Sequence, residues 1–315
     1  MGTAAFIAGD WGTTHLRLTL CDAAGHVLET GNGPGVSQIQ GRFAEVFAEL
    51  TASWTREQGS LPAVLCGMVG STIGWTNVPY VTCPSAPARI ADAMAAVANG
   101  SVLIAPGLSC RNRHGAPDVL RGEETQILGA LHLDNTLRTG QHLLCLPGTH
   151  TKWVVLEEGV VREFLTSVTG ELFAVVNEHS VLIRSDSSTD PDAAAIFQAA
   201  IDHVQQYPDA ALSQLLFECR SRQVMGQLSR AAAPHYLSGL LIAHDIAGAC
   251  RIFADVLQSA GTVSLVGTPH LMELHARTFA GRSVRTTQVD GAHASLAGLA
   301  ALYAHRSDRK HTDAA

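Results

Sequence analysis

The two halves of the sequence run through the same series of elements, and this repetition constrains the fold more than any other feature. In the first half, apolar alternation predicts a strand at Phe6–Asp10 and a hairpin of His15–Cys21 with His26–Gly31 about the turn Asp22-Ala-Ala-Gly25. Helical periodicity over Phe43–Glu57 is followed by a short buried strand, Ala63–Cys66, ending at Gly67. An alanine-rich helix Ala86–Ala98, a buried strand Val102–Ala105 and a helix Arg121–Leu133 complete the series. The second half repeats it, with a strand His142–Leu146 and a hairpin of Thr151–Glu157 and Val160–Leu165 around Glu158-Gly159. A longer helical stretch then runs from about Gly170 to Ser259. It leads to a strand Val263–Val266 ending at Gly267, a helix Pro269–Ala280, a strand Ser283–Gln288 and a helix Ala292–His305. The opening turns also align, Gly12-Thr13-Thr14 with Gly148-Thr149-His150. A duplicated α/β fold follows, with domains at 1–135 and 136–306 and a polar tail at 307–315. Such a pair would enclose a cleft, a common place for a ligand.

Composition removes several classes. The net charge is −7, charged residues make up 16%, and no basic stretch stands out, so a nucleic-acid partner is not expected. Seven cysteines are scattered without a Cys-x-x-Cys pair, which argues against a disulfide framework or a zinc site and for a reducing, cytoplasmic setting. None of the fifteen histidines has metal-ligand spacing. No signal peptide is recognisable, and no membrane partner is expected. The apolar run at Gly239–Ala243 is soon interrupted by His244 and Asp245.

Three loops carry chemistry. In Gly9-Asp10-Trp11-Gly12-Thr13-Thr14-His15, glycine permits close approach to a phosphate, and Thr13 and Thr14 offer hydroxyls. Asp10, at the strand end, is placed to hold Mg²⁺. The loop Pro147-Gly148-Thr149-His150-Thr151-Lys152 has the same character. Lys152 is one of only two lysines, the other being Lys310, and suits a point-charge phosphate contact. In Leu265-Val266-Gly267-Thr268-Pro269 a buried strand passes into a helix, and Gly267 and Thr268 would let adenosine lie against the backbone.

Two Gly-Thr hairpins in repeated positions, followed by that third loop, resemble the actin, hexokinase and heat-shock chaperone superfamily. The closer resemblance is to the 2-dehydro-3-deoxygalactonokinase family. It is carried by Asp10-Trp11-Gly12-Thr13-Thr14, Gly67-Met68-Val69-Gly70-Ser71 with Gly74-Trp75, Arg121-Gly122-Glu123-Glu124-Thr125-Gln126, Pro147-Gly148-Thr149-His150 with Lys152-Trp153, Thr169-Gly170-Glu171-Leu172 and Ser238-Gly239-Leu240-Leu241-Ile242. The resemblance implies two duplicated actin-like (ribonuclease H-like) domains with an interdomain nucleotide cleft. It also implies transfer of the ATP γ-phosphate, with Mg²⁺, to the 6-hydroxyl of 2-dehydro-3-deoxy-D-galactonate. Related sugar kinases place a catalytic aspartate at the start of the equivalent helix, so one of Glu123 and Glu124 would accept the hydroxyl proton, and helix phase favours Glu124. A sugar acid needs a cation, with Arg121 the first choice and Arg113 the second. Gly67, Met68, Ser71 and Trp75 would form the wall of its pocket. Two alternatives stay open, a kinase for another sugar or sugar acid of the superfamily and an actin-like ATP-switched binding or filament protein. Homo-oligomerisation also stays open.

Overall fold

The computed structural model describes residues 2–186, 190–280, 282 and 284–313. In chain order, the first half contains β1 (Ala4–Trp11), β2 (His15–Asp22), β3 (Val27–Pro34), α1 (Phe43–Leu50), α2 (Ala52–Gln58), β4 (Ala63–Cys66), β5 (Val81–Thr82), α3 (Pro87–Asp92), β6 (Ala95–Val97), β7 (Val102–Ile104), β8 (Leu108–Arg111), β9 (Pro117–Leu120) and α4 (Glu123–Leu133). The rest contains β10 (Gln141–Leu146), β11 (Thr151–Glu157), β12 (Val160–Ser167), α5 (Thr169–His179), α6 (Ala193–Gln206), α7 (Leu212–Val224), α8 (Ala233–Ile252), α9 (Ala254–Ala260), β13 (Thr262–Gly267), α10 (Pro269–Phe279), β14 (Arg285–Asp290) and α11 (Gly291–Asp313).

The duplication is visible in the sheets. One has the order β3-β2-β1-β4-β7-β6 and the other β12-β11-β10-β13-β14, so the third, second, first and fourth strands of each line up identically, β7 takes the place of β14, and β6 is added at its edge. β1 pairs antiparallel with β2 and parallel with β4, and β10 pairs parallel with β13. β4 is buried at every residue, which is why Ala63–Cys66 is apolar throughout rather than alternating. Trp11, Leu16, Leu18, Leu65 and Ile104 belong to the core that forms on this sheet. A small sheet, β5-β8-β9, is an addition to the first half.

Several elements depart from the sequence reading. The alanine-rich stretch is not one helix. After α3, residues 95–97 pair with β7 as the strand β6, because a sheet edge was available and Ala98, Asn99 and Gly100 adopt positive φ to close the hairpin. Phe43–Glu57 breaks into α1 and α2 at Thr51, whose hydroxyl donates to Phe47 C=O instead of facing solvent. β8 and β9 were not foreseen. Their turn is built by Asn112, whose Oδ1 accepts from the N–H groups of His114 and Ala116. The helical stretch after Gly170 contains α5 to α9. α11 runs through Ser307 to Asp313, into the stretch expected as a polar tail.

The chain divides into two compact units. One comprises the described residues of Met1–Gln141, Val155–Phe164 and Val289–Ala315, and the other those of His142–Val154 and Leu165–Gln288. The last helix therefore joins the first unit, not the second as a split at residue 135 would have it. There α11 packs on α4 at backbone distance. A Cβ added to Gly129 would overlap Ala294 O, and one added to Gly298 would overlap Thr125 O. Tyr303 of α11 stacks on Phe6 of β1, with centroids 4.2 Å apart. All seven cysteines are free. Among the described residues, no helix is long and apolar enough to cross a membrane.

Candidate active site

The two Gly-Thr loops are held by the same device. In the first, Gly12 N–H donates to His15 C=O at 2.9 Å, closing the β1–β2 turn. The segment after β3 then passes beneath it. Gly35 N–H donates to Thr14 C=O (3.2 Å), and Ser37 donates to Thr13 C=O from its N–H (3.1 Å) and its hydroxyl (2.8 Å). Any side chain on Gly35 would run into the Thr13–Thr14 backbone. In the second, the segment after β12 does the same work. Gly170 lies so close that a Cβ would overlap Gly148 O, and Glu171 N–H donates to Thr149 C=O at 2.9 Å. With their carbonyls engaged from below, both loops leave threonines exposed, Thr13 and Thr14 in one and Thr149 in the other.

Lys152, expected at the phosphate, follows the second loop as a buried side chain. It is only 5% exposed, and its Nζ donates to His150 C=O at 3.0 Å, so it braces the loop from inside. Trp153, next in the chain, donates its indole N–H to Asp245 Oδ1 (3.2 Å), while Thr169 donates its hydroxyl to Asp245 Oδ2 (2.9 Å). His150 approaches Glu171 at 2.6 Å. Gly267 is buried against the Pro147 ring, which ties the third loop to the second, and Thr268 next to it is exposed. Within the second unit a cavity of 540 Å³ opens on Gly148 and Gly170, with walls that include Phe173, Phe197, Leu241 and Leu274. Its size and apolar lining suit a nucleoside. The sequence reading placed adenosine at Gly267 and Thr268. The cavity walls come from the helices α5, α6, α8 and α10, and the Thr169–Leu172 and Ser238–Ile242 motifs are the sequence signals that fall on them.

Carboxylates gather in the first unit. Asp10, near the end of β1, is in register with Cys66 of β4, and Gly67 lies against Trp11 O and Asp10 Oδ1. Gly122, just before α4, approaches Gly67, which brings Glu123 and Glu124 to the same corner. Burial raises the Asp10 carboxyl above its ordinary range and the charge of Glu123 adds to this, while Arg17 and a hydrogen bond from Cys66 oppose it. Glu123 is half-buried, and its Oε2 accepts the Arg121 backbone N–H at 3.1 Å. Glu124 is fully buried. Its Oε2 accepts the Gly122 N–H at 2.6 Å and its Oε1 has no partner. Burial above all, with the neighbouring Glu123 charge, pushes its pKa up to about 8. Burial disfavours the charged form of Glu124, while Glu123 keeps partial exposure at the same corner.

Arg121 donates from Nη2 to Val78 C=O at 2.7 Å and lies over the Tyr80 ring at 4.5 Å, while its Nε and Nη1 are buried without a partner. Gly70 is adjacent, with too little room for a Cβ beside Nη1. Arg113, the second choice, is ion-paired with Glu163 at 2.8 Å. The expected pocket wall is only partly one. Ser71 turns its hydroxyl to Met68 C=O (2.7 Å), Met68 packs on the core, and Trp75 stacks with Phe43 at 6.5 Å. These three side chains brace the Gly67–Ser71 segment, and Met68 and Trp75 keep part of their surface exposed. Among the described residues, no group of three His, Cys, Asp or Glu side chains could hold a metal by itself.

One strand order used twice, with one clasp under each Gly-Thr loop, defines a protein of the actin-like, two-domain class. A crystal structure of an activator of 2-hydroxyisocaproyl-CoA dehydratase from Clostridium difficile, with bound ADPNP, shares the fold. Its TM-score is 0.50 at 12% identity, over 98% of this chain and 97% of that one. Much nearer is a candidate 2-dehydro-3-deoxygalactonokinase from Sinorhizobium meliloti, with TM-score 0.84 and 34% identity over 94% of this chain and 97% of that one. The 2-dehydro-3-deoxygalactonokinase of Escherichia coli is 34% identical over 95% of this chain and 98% of its own. Residues 10–302 match the family described as 2-keto-3-deoxy-galactonokinase. The chain belongs to that family, and it is an ATP-dependent kinase.

Proposed function

We propose that the protein transfers the γ-phosphate of ATP to the 6-hydroxyl of 2-dehydro-3-deoxy-D-galactonate, giving 2-dehydro-3-deoxy-6-phosphogalactonate. The observation that carries the substrate class is Arg121, a guanidinium with two buried nitrogens unpartnered beside the Gly67–Ser71 loop. Buried donors without acceptors are costly, and a sugar-acid carboxylate supplies acceptors of matching planar geometry. Glu123 accepts the proton of the attacking hydroxyl, because it keeps exposure that Glu124 lacks and stands electrostatically close to Asp10. Gly12, Thr13, Thr14, Gly148 and Thr149 cradle the phosphates, Arg17 adds positive charge beside Asp10, and Lys152 keeps the second loop in shape. The nucleoside occupies the 540 Å³ cavity.

Mg²⁺ fits the residues present. It favours one or two carboxylates, with water and phosphate completing its shell, and a buried Asp10 carboxyl with the like charge of Glu123 nearby suits a cation. Asp10 would hold it, with Glu123 nearby, and when bound it would neutralise charge developing on the phosphoryl group. Seven unpaired cysteines fit a reducing cytoplasm.

A coupled ADP-release assay tests the reading. It would compare 2-dehydro-3-deoxy-D-galactonate, its gluconate epimer and neutral hexoses. The galactonate acid is expected to give the highest kcat/KM. Equal turnover of a neutral hexose would remove the role of Arg121, and a higher rate with the gluconate epimer would reassign the substrate within the class.

A further inference from the structure

The geometry points to Asp245 of α8 as the residue that positions the second phosphate loop, and hence as a determinant of ATP affinity that never touches the nucleotide. The inference rests on the reading of Gly148–Thr149 as a phosphate loop. One carboxylate binds both flanks of the clasp, Oδ1 accepting from the Trp153 indole at 3.2 Å and Oδ2 from the Thr169 hydroxyl at 2.9 Å. Trp153 follows Lys152, whose ammonium is folded onto His150 C=O. Thr169 precedes Gly170, which presses against Gly148 O, and Glu171, whose N–H holds Thr149 C=O. The rise of the loop into β11 and the segment beneath it are therefore fixed to one side chain from a distant helix. Oxygens accepting from two donors of fixed direction set their separation, and a carboxylate makes each bond stronger than a neutral acceptor would. Among the described residues, the first half has nothing equivalent. There the Trp11 indole donates to a backbone carbonyl, Pro34 C=O, at 3.0 Å, and the clasp is continuous with its own strand. The second clasp, unlike the first, depends on a remote carboxyl side chain.

Four variants of the full chain separate the outcomes, read as KM for ATP, KM for the sugar acid and calorimetric affinity for a non-hydrolysable ATP analogue. Gly170→Ala pushes a methyl into the loop directly. Asp245→Leu should weaken analogue binding and raise KM for ATP about tenfold or more, the worth of a hydrogen bond to a charged group, while KM for the sugar acid changes less than about twofold. Asp245→Asn should restore most of the affinity, because its amide oxygen still accepts from Trp153 and its NH₂ donates to the Thr169 hydroxyl, which can reverse its role. If Gly170→Ala weakens the analogue and Asp245→Leu does not, Asp245 has no positioning role. Nor has it one if Asp245→Leu lowers both affinities equally. If Gly170→Ala itself leaves ATP affinity intact, the second loop holds no phosphate and the functional reading fails, whatever Asp245 does. Should Asp245→Leu not fold, as judged by circular dichroism, Thr169→Val removes one donor alone. An unchanged analogue affinity in that variant would overturn the proposal.

Discussion

Glu123 and Glu124 are adjacent in sequence and opposite in environment. Glu124 keeps its proton up to about pH 8 when folded, against an ordinary 4.5. Between those values the native state holds a proton that the unfolded chain has released, so stability falls as pH rises through the window, by up to about 1.4 kcal/mol per unit. Glu124→Gln removes that dependence. Its melting temperature should match the wild type near pH 5 and exceed it increasingly towards pH 8, and a difference that is flat with pH would mean that Glu124 ionises normally. Glu123→Gln should lose turnover on the order of 10²–10⁴-fold, with little change in melting temperature. If Glu124→Gln is the inactive variant instead, the two roles are exchanged. Arg121→Ala should raise KM for the sugar acid roughly 10- to 150-fold, the equivalent of about 1.5–3 kcal/mol for a lost charge-assisted contact, and leave KM for ATP nearly unchanged. An unchanged sugar-acid KM would place the carboxylate elsewhere.

At the scale of elements, the contact between α4 and α11 depends on two glycines facing backbone. Gly298→Ala puts a methyl where Thr125 O now lies. Overpacking of this kind costs about 1–3 kcal/mol, and the variant should melt earlier without a change in either KM. A melting temperature equal to wild type would mean that the helices part at little cost. The order of strands was legible because β4 and β10 carry apolar runs and the hairpins carry Gly and Asp turns. β6 was not, since Ala95–Val97 favours a helix locally and becomes a strand only because β7 offers an edge. The loops Gly12–Thr14 and Gly148–Thr149 were legible as glycine-threonine turns. Their clasps were not, because Gly35 acts on residues more than twenty positions earlier, a relation no local period records. The burial of Glu124 is not legible for a related reason. Helix phase tells which way a side chain points along the helix but not how much protein, Cys66 and Ser295 included, lies around that end of α4.

At the scale of the molecule, the first unit is not contiguous in sequence, since residues of Val155–Phe164 and Val289–Ala315 complete it. A chain ending at Asp290 retains every residue assigned to phosphate or substrate and loses α11. Ala294, Leu299 and Leu302, all buried, go with it, as does the ring stacked on Phe6. At about 1.5–3 kcal/mol per large buried side chain, the loss rivals the whole stability of an ordinary domain, about 5–15 kcal/mol. The truncated chain should show no cooperative thermal transition by circular dichroism, and a transition like that of the full chain would mean that α11 is dispensable.

The return of α11 to the first unit also sets an order of events during synthesis. A nascent chain emerges from its N-terminus, so β1 and α4 leave the ribosome long before the helix that covers them. Roughly 150 residues separate the two, about ten to thirty seconds at ordinary elongation rates. For that interval α4 shows an apolar face to the cytosol, and the half that starts first finishes last. Holding chaperones, and synonymous codons that speed or slow the final stretch, would act on this protein through the surfaces of β1 and α4 that α11 later covers.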